Sequence, residues 1–97
     1  MKTIFRSREM GLTRADFFRL LPEVLGGGTG AAVAGNKATI VQGCGTILIE
    51  LGERESRRLG ALKIPILYVS FLFIGHSPAD AEAFMIRFDR VFQRGGG

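Results

Sequence analysis

Apolar positions are densest from Ile64 to Ile74. Ile64, Ile66, Tyr68, Leu72 and Ile74 fall on one pleat face, and Leu67, Val69, Phe71 and Phe73 on the other. A strand with one wet face alternates apolar and polar residues, so near-continuous apolarity predicts a strand covered on both faces. Thr46–Leu51 behaves differently. Ile47, Ile49 and Leu51 alternate with Thr46, Leu48 and Glu50, the pattern of a half-buried strand. Before it, Ala31–Ala34 and Lys37–Gln42 flank Gly35-Asn36, a pair suited to the positive φ of a two-residue hairpin turn. Gly43-Cys44-Gly45 marks a second reversal. Residues 52–62, which include Glu53-Arg54-Glu55-Ser56-Arg57-Arg58, read as a charged connection with room for a helical turn.

Two stretches carry the helical period. Thr13 is a good N-cap, Asp16 follows three residues later, and Leu12 with Phe17 fits a hydrophobic staple. Phe17, Phe18, Leu20, Leu21, Val24 and Leu25 then form an apolar stripe. Pro22, which lacks the amide that would bond back to Phe18, predicts a kink or a tightened turn. Gly26-Gly27-Gly28 ends this helix. Near the C-terminus Ser77 is the cap, Pro78 the first helical position, and Asp80 complements the dipole. Ala81, Phe84, Met85, Phe88, Val91 and Phe92 share one side of that helix, with Arg87, Arg90 and Arg94 on another.

The predicted order is α-β-β-β-β-α. No helix separates the strands, so the sheet should be an antiparallel meander of four strands. The expected class is α+β, a two-layer sandwich flanked by N- and C-terminal helices. Residues 12–94 would form the domain, 1–11 a flexible N-terminal arm or an edge strand, and 95–97 a disordered tail. The expected core is Phe17, Leu20, Leu21, Val24, Ile47, Ile49, Leu67, Val69, Phe71, Phe73, Phe84, Phe88 and Val91. Two helices cover one face of such a sheet. Leu48, Ile66, Tyr68 and Leu72 are left on the helix-free side, and Ile40 is assigned beside them.

Composition narrows the setting. Ninety-seven residues make one domain, with roughly 60–65% of the unfolded surface buried. A single cysteine forms no internal disulfide and gives no sign of an oxidising compartment. Lys2, Arg6 and Arg8 resemble the basic start of an export signal, but no apolar run of the needed length follows. Ile64–Ile74 is shorter than the ~20 residues of a membrane helix. The expectation is a soluble cytoplasmic protein with no membrane association. Thirteen Lys and Arg against nine Asp and Glu give a net charge of +4. That is compatible with nucleic acid, acidic protein or anionic lipid, and selects none of them.

The chemistry-bearing residues are sparse. Gly26-Gly27-Gly28-Thr29-Gly30-Ala31 fits a loose dinucleotide pattern, but a helix precedes it and strands follow, the reverse of what pyrophosphate binding needs. Gly30 to Lys37 approaches a phosphate loop, yet Asn36 breaks the Gly-Lys pair and Ala38 replaces the hydroxyl that would hold magnesium. Cys44, between two glycines, is the candidate reactive thiol, although no neighbouring cation lowers its pKa. His76, the sole histidine, precedes the second helix cap. One Cys and one His supply too few ligands for a zinc site. Glu50, Glu53 and Glu55 interleave with arginines as a solvated charge run. No catalytic residue, metal or cofactor is therefore expected.

Two resemblances bear on function. Leu67-Tyr68-Val69-Ser70-Phe71-Leu72 is similar to the first aromatic strand motif of RNA-recognition-motif domains, which implies base stacking on the sheet. The partner Lys/Arg-Gly-aromatic motif is absent, and the α-β-β-β-β-α order differs from that family's. The Arg94-Gly95-Gly96-Gly97 end resembles the diglycine tails of small sulfur-carrier and ubiquitin-like proteins, whose folds end in a strand rather than a helix.

The leading functional expectation is a non-catalytic interaction module that self-associates, or binds a protein partner, through Leu48, Ile66, Tyr68 and Leu72. The alternative is a small basic nucleic-acid binder, with Arg54, Arg57, Arg58, Lys63, Arg87, Arg90 and Arg94 as anion contacts. A carrier dependent on the Cys44 thiol or the C-terminal glycines ranks below both.

Overall fold

A computed structural model describes residues 3–25, 31–43 and 45–94, with backbone alone at 42, 53–59, 62–64 and 94. The elements are β1 (Thr3–Met10), α1 (Arg14–Leu25), β2 (Ala31–Ala34), β3 (Lys37–Gln42), β4 (Gly45–Leu59), β5 (Leu62–Ile74) and α2 (Pro78–Arg94). They form an α+β fold whose single sheet has the strand order β1-β5-β4-β3-β2, antiparallel throughout.

The expected helix signals act as expected. The Asp16 amide donates to Thr13 Oγ1 at 3.2 Å and the Phe17 amide to the Thr13 carbonyl at 3.0 Å. At α2 the Asp80 amide donates to Ser77 Oγ at 3.1 Å, and the Ala81 amide to the Ser77 carbonyl at 3.0 Å. Each cap satisfies amides that the first turn leaves without partners. The helix α1 continues through Pro22 to Leu25.

Tight turns set the sheet register. Ala34 pairs with Lys37, Gln42 with Gly45, and Leu59 with Leu62, so each hairpin closes over two residues. In each turn the first of the two is a glycine at positive φ: Gly35 at 60°, Gly43 at 62° and Gly60 at 61°. This is the glycine placement of a type II′ turn, whose twist matches that of the flanking strands.

Three expectations need correction. The sheet has five strands, not four, because Thr3–Met10 pairs along its whole length with β5 as an edge strand. Its helix side reads Ile4, Arg6, Arg8, Met10, so the apolar period is interrupted by two arginines. One of them, Arg8, makes a bidentate pair with Asp89 of α2, Nε to Oδ1 at 3.0 Å and Nη2 to Oδ2 at 3.1 Å. That hydrogen bond, partly opposed by desolvation, raises the Arg8 pKa further, so the guanidinium stays charged.

The charged stretch after Leu51 is also strand. β4 runs on to Leu59 and returns through Gly60-Ala61, with a register shift between Arg54 and Arg57. Arg54 pairs with Ile66 and Arg57 with Ile64, so two residues of β4, Glu55 and Ser56, oppose Pro65 alone. Proline donates no ladder hydrogen bond and is tolerated in strands at bulges and edges. The bulge absorbs the break. The third correction concerns Ile40, which is fully buried on the helix side, in register with Ala31 and Ile47.

Both helices pack on one side of the sheet. Phe17, Leu20, Leu21, Val24 and Leu25 of α1 and Ala81, Phe84, Met85, Phe88 and Phe92 of α2 join Ile40, Ile47, Ile49, Leu51, Leu67, Val69, Phe71 and Phe73 in one buried cluster. Val91, expected in the core, is only partly buried against it. Aromatic rings run through this layer without a break. Phe73 meets Phe84 edge-on at 5.6 Å, Phe71 meets Phe88 edge-on at 4.8 Å, Phe88 stacks on Phe92 at 4.3 Å, and Phe92 on Phe17 at 5.2 Å.

Phe88 touches sheet and both helices, so Phe88→Ala should lower the unfolding free energy by about 3–5 kcal/mol. Urea denaturation followed by circular dichroism measures this. A loss under ~1 kcal/mol would mean that the ring is not the joint of the three elements.

Candidate interaction surface

Cross-strand partners share a face, so the register lays out the helix-free side row by row. One row reads Thr3, Ile74, Thr46, Val41, and the next reads Phe5, Leu72, Leu48, Thr39, Ala32. A polar row follows, Ser7, Ser70, Glu50, Lys37, in which the Ser70 hydroxyl donates to the Glu50 carbonyl at 3.4 Å. Beyond it lie Glu9, Tyr68 and Gly52, and then Ile66 opposite Arg54. All four residues expected on this face are there. Leu48 is exposed, and Ile66, Tyr68 and Leu72 are partly so.

Sequence reasoning missed the two most exposed members. Phe5 is 57% exposed and Val41 67% exposed. Phe5 belongs to the strand whose period is hidden by arginines. The signal for Val41 was available, since it alternates with the buried Ile40. With Ile74, Leu72 and Leu48 these two place five apolar side chains in two adjacent rows across four strands. Neighbouring positive charge is scarce. Among the described residues of this face Lys37 is the one basic side chain, set cross-strand from the acidic Glu50.

The expected cationic residues are dispersed. Arg54, Arg57, Arg58 and Lys63 lie on the β4–β5 hairpin, beyond the ends of the β1 and β3 ladders. Arg87 and Arg90 are exposed on α2, and Arg94 is the last residue of that helix. The structure thus does not bring the two groups together on one element. Cys44, the glycines at 26–30 and the tail at 95–97 lie outside the described residues.

His76 occupies a separate place. Its ring meets Phe73 edge-on at 6.1 Å and lies against Gly45. Its Nε2 is buried with no hydrogen-bond partner among the described residues. A cavity of about 260 Å³ opens beside it, lined among others by Gly43, Asp80, Phe84 and Arg87. Among the described residues no three His, Cys, Asp or Glu side chains converge as metal ligands, and no helix is long and apolar enough to cross a membrane. Comparison with known protein families, curated proteins and solved structures finds no match to this chain.

A side chain at position 45 has no room. A Cβ there would lie 2.5 Å from His76 Cδ2 and 2.8 Å from the Ile74 carbonyl oxygen. Gly45→Ala should therefore cost about 1–3 kcal/mol of stability. Adding His76→Ala should recover part of the loss but not all, because the Ile74 backbone remains. Chemical denaturation of the single and double variants checks this, and an unchanged midpoint in Gly45→Ala would contradict the close approach.

Proposed function

We propose that this chain is a non-catalytic interaction module that self-associates through the helix-free face of its sheet. The observation that carries this reading is the set of apolar side chains Phe5, Val41, Leu48, Leu72 and Ile74 in two adjacent rows, left open by helices that both pack on the other side. Exposed apolar area of that kind marks an interaction site more often than a free surface.

A second copy is the partner that the face favours. Eight residues each of β1, β5 and β4, with the six of β3 and the four of β2, at ~4.8 Å by ~3.4 Å per residue, give a surface on the order of 550 Å². A standard stable interface buries about 800 Å² per partner, so one face laid on another supplies about two-thirds of that area. The charges also suit an isologous contact. Lys37 beside Glu50, with Glu9 further along, presents both signs on one face, and a two-fold axis can set each opposite its complement. Nucleic acid suits this face poorly, because phosphate binding needs several cations and the described residues offer Lys37.

Light scattering after size exclusion should give a dimer or larger assembly that persists at high salt. Leu72→Asp loses two buried leucines per dimer, about 3–6 kcal/mol, which weakens association by roughly 10²- to 10⁴-fold. Tyr68→Asp should act in the same direction. Both variants should keep wild-type circular dichroism. A monomeric wild-type chain, or assembly unchanged in both variants, would overturn the reading.

A further inference from the structure

The β4–β5 hairpin outruns the sheet. The β3–β4 ladder ends at Lys37 and Glu50, and the β1–β5 ladder ends at Met10 and Leu67. β4 and β5 nevertheless stay paired with each other out to Leu59 and Leu62. Among the described residues, Arg54–Leu59 and Leu62–Ile66 therefore form a two-stranded ribbon with no third strand on either side. Six residues at ~3.4 Å each give it a reach of ~20 Å, in keeping with the elongated 47 × 25 × 25 Å envelope.

The ribbon's sequence is rich in charged residues. It holds Arg54, Arg57, Arg58 and Lys63 against Glu55, with Glu53 at its base, so four positive minus one negative residue give +3 of the chain's +4. Charges and a bulge on open strand edges also discourage edge-to-edge association. That accounts for charge of either sign, but not for the excess of one.

We propose that this ribbon binds duplex DNA by entering the major groove. That groove, ~12 Å wide, admits a two-stranded β-ribbon, whose strands lie ~4.8 Å apart before side chains are added. The bulge at Arg54–Arg57 increases right-handed twist locally, which helps a ribbon follow the groove. Arg54 and Arg57 belong to one strand and Lys63 to the other, so both strands of the ribbon carry cationic residues. Double-stranded RNA fits less well, because its major groove is deep and narrow. The inference does not depend on assembly through the sheet face.

Fluorescence anisotropy of the full chain with a labelled 20-base-pair DNA duplex tests it. With three to four phosphate contacts, affinity should fall about 40- to 150-fold between 50 and 200 mM salt. Arg57→Gln with Arg58→Gln should weaken binding at least tenfold while light scattering shows unchanged assembly. Arg57→Lys with Arg58→Lys should stay within about threefold of wild type. If the glutamine pair unfolds by circular dichroism, Lys63→Gln on the opposite strand takes its place. Leu72→Asp, which addresses assembly alone, should still bind as a monomer. No DNA binding at 50 mM salt would overturn the proposal. So would loss of binding in Arg87→Gln with Arg90→Gln but not in the ribbon variants. Tighter binding to duplex RNA, or to vesicles containing phosphatidylserine, would do the same.

Discussion

The contact on which the rest of this structure depends is that of Phe71 and Phe73 with Phe84 and Phe88. It decides which face of β5 is interior. Every other strand inherits that decision through register, because side chains alternate with a period of two and a slip by one residue would exchange the faces. Direct pairing transmits the choice from β5 to β4 across the bulge between Arg54 and Arg57, and the two-residue turns at Gly43 and Gly35 carry it on to β3 and β2. Pairing with β5 transmits it to β1. The outward position of Phe5, Val41, Leu48 and Leu72 is therefore the other half of the same constraint.

The aromatic layer also explains why the helices share one side. Phe92 stacks on Phe17, so α1 is held to α2 by rings that are already tied to the sheet. Offset and edge-on aromatic pairs add about 0.5–1.5 kcal/mol each beyond their buried area. Placing α1 on the opposite face would forfeit those contacts. The arrangement leaves two distinct surfaces on the same pair of central strands. Where β1 and β3 flank them the sheet is broad and partly apolar, and where they stand alone they make a narrow ribbon rich in arginine.

Local signals in the chain were legible because their causes are local. Thr13 and Ser77 cap helices through hydrogen bonds to amides three residues away, and the turn at Gly35-Asn36 needs only a residue tolerant of positive φ. The alternation of Ile47, Ile49 and Leu51 reads correctly for the same reason, as do the faces of Leu67, Val69, Phe71 and Phe73. The candidate face was partly legible: Leu48, Ile66, Tyr68 and Leu72 follow from parity alone. Ile40 was misassigned because parity in a neighbouring strand depends on how many residues the Gly43-Cys44 turn contains, which the pattern of one strand does not reveal.

What the sequence by itself determined is the set of elements with short-range causes: both helices, the β2–β3 hairpin, and a strand apolar on both faces that demands cover. Tertiary structure alone decided the rest. Thr3–Met10 becomes a strand because the edge of β5 offers a ladder of unpaired backbone groups, and because Asp89 on α2 gives Arg8 a partner on the buried side. Residues 53–59 extend β4 because Leu62–Ile66 runs back beside them, with the bulge accommodating Pro65. In both cases the hydrogen-bond partners lie far along the chain, so propensity and period in the segment itself carry no record of them.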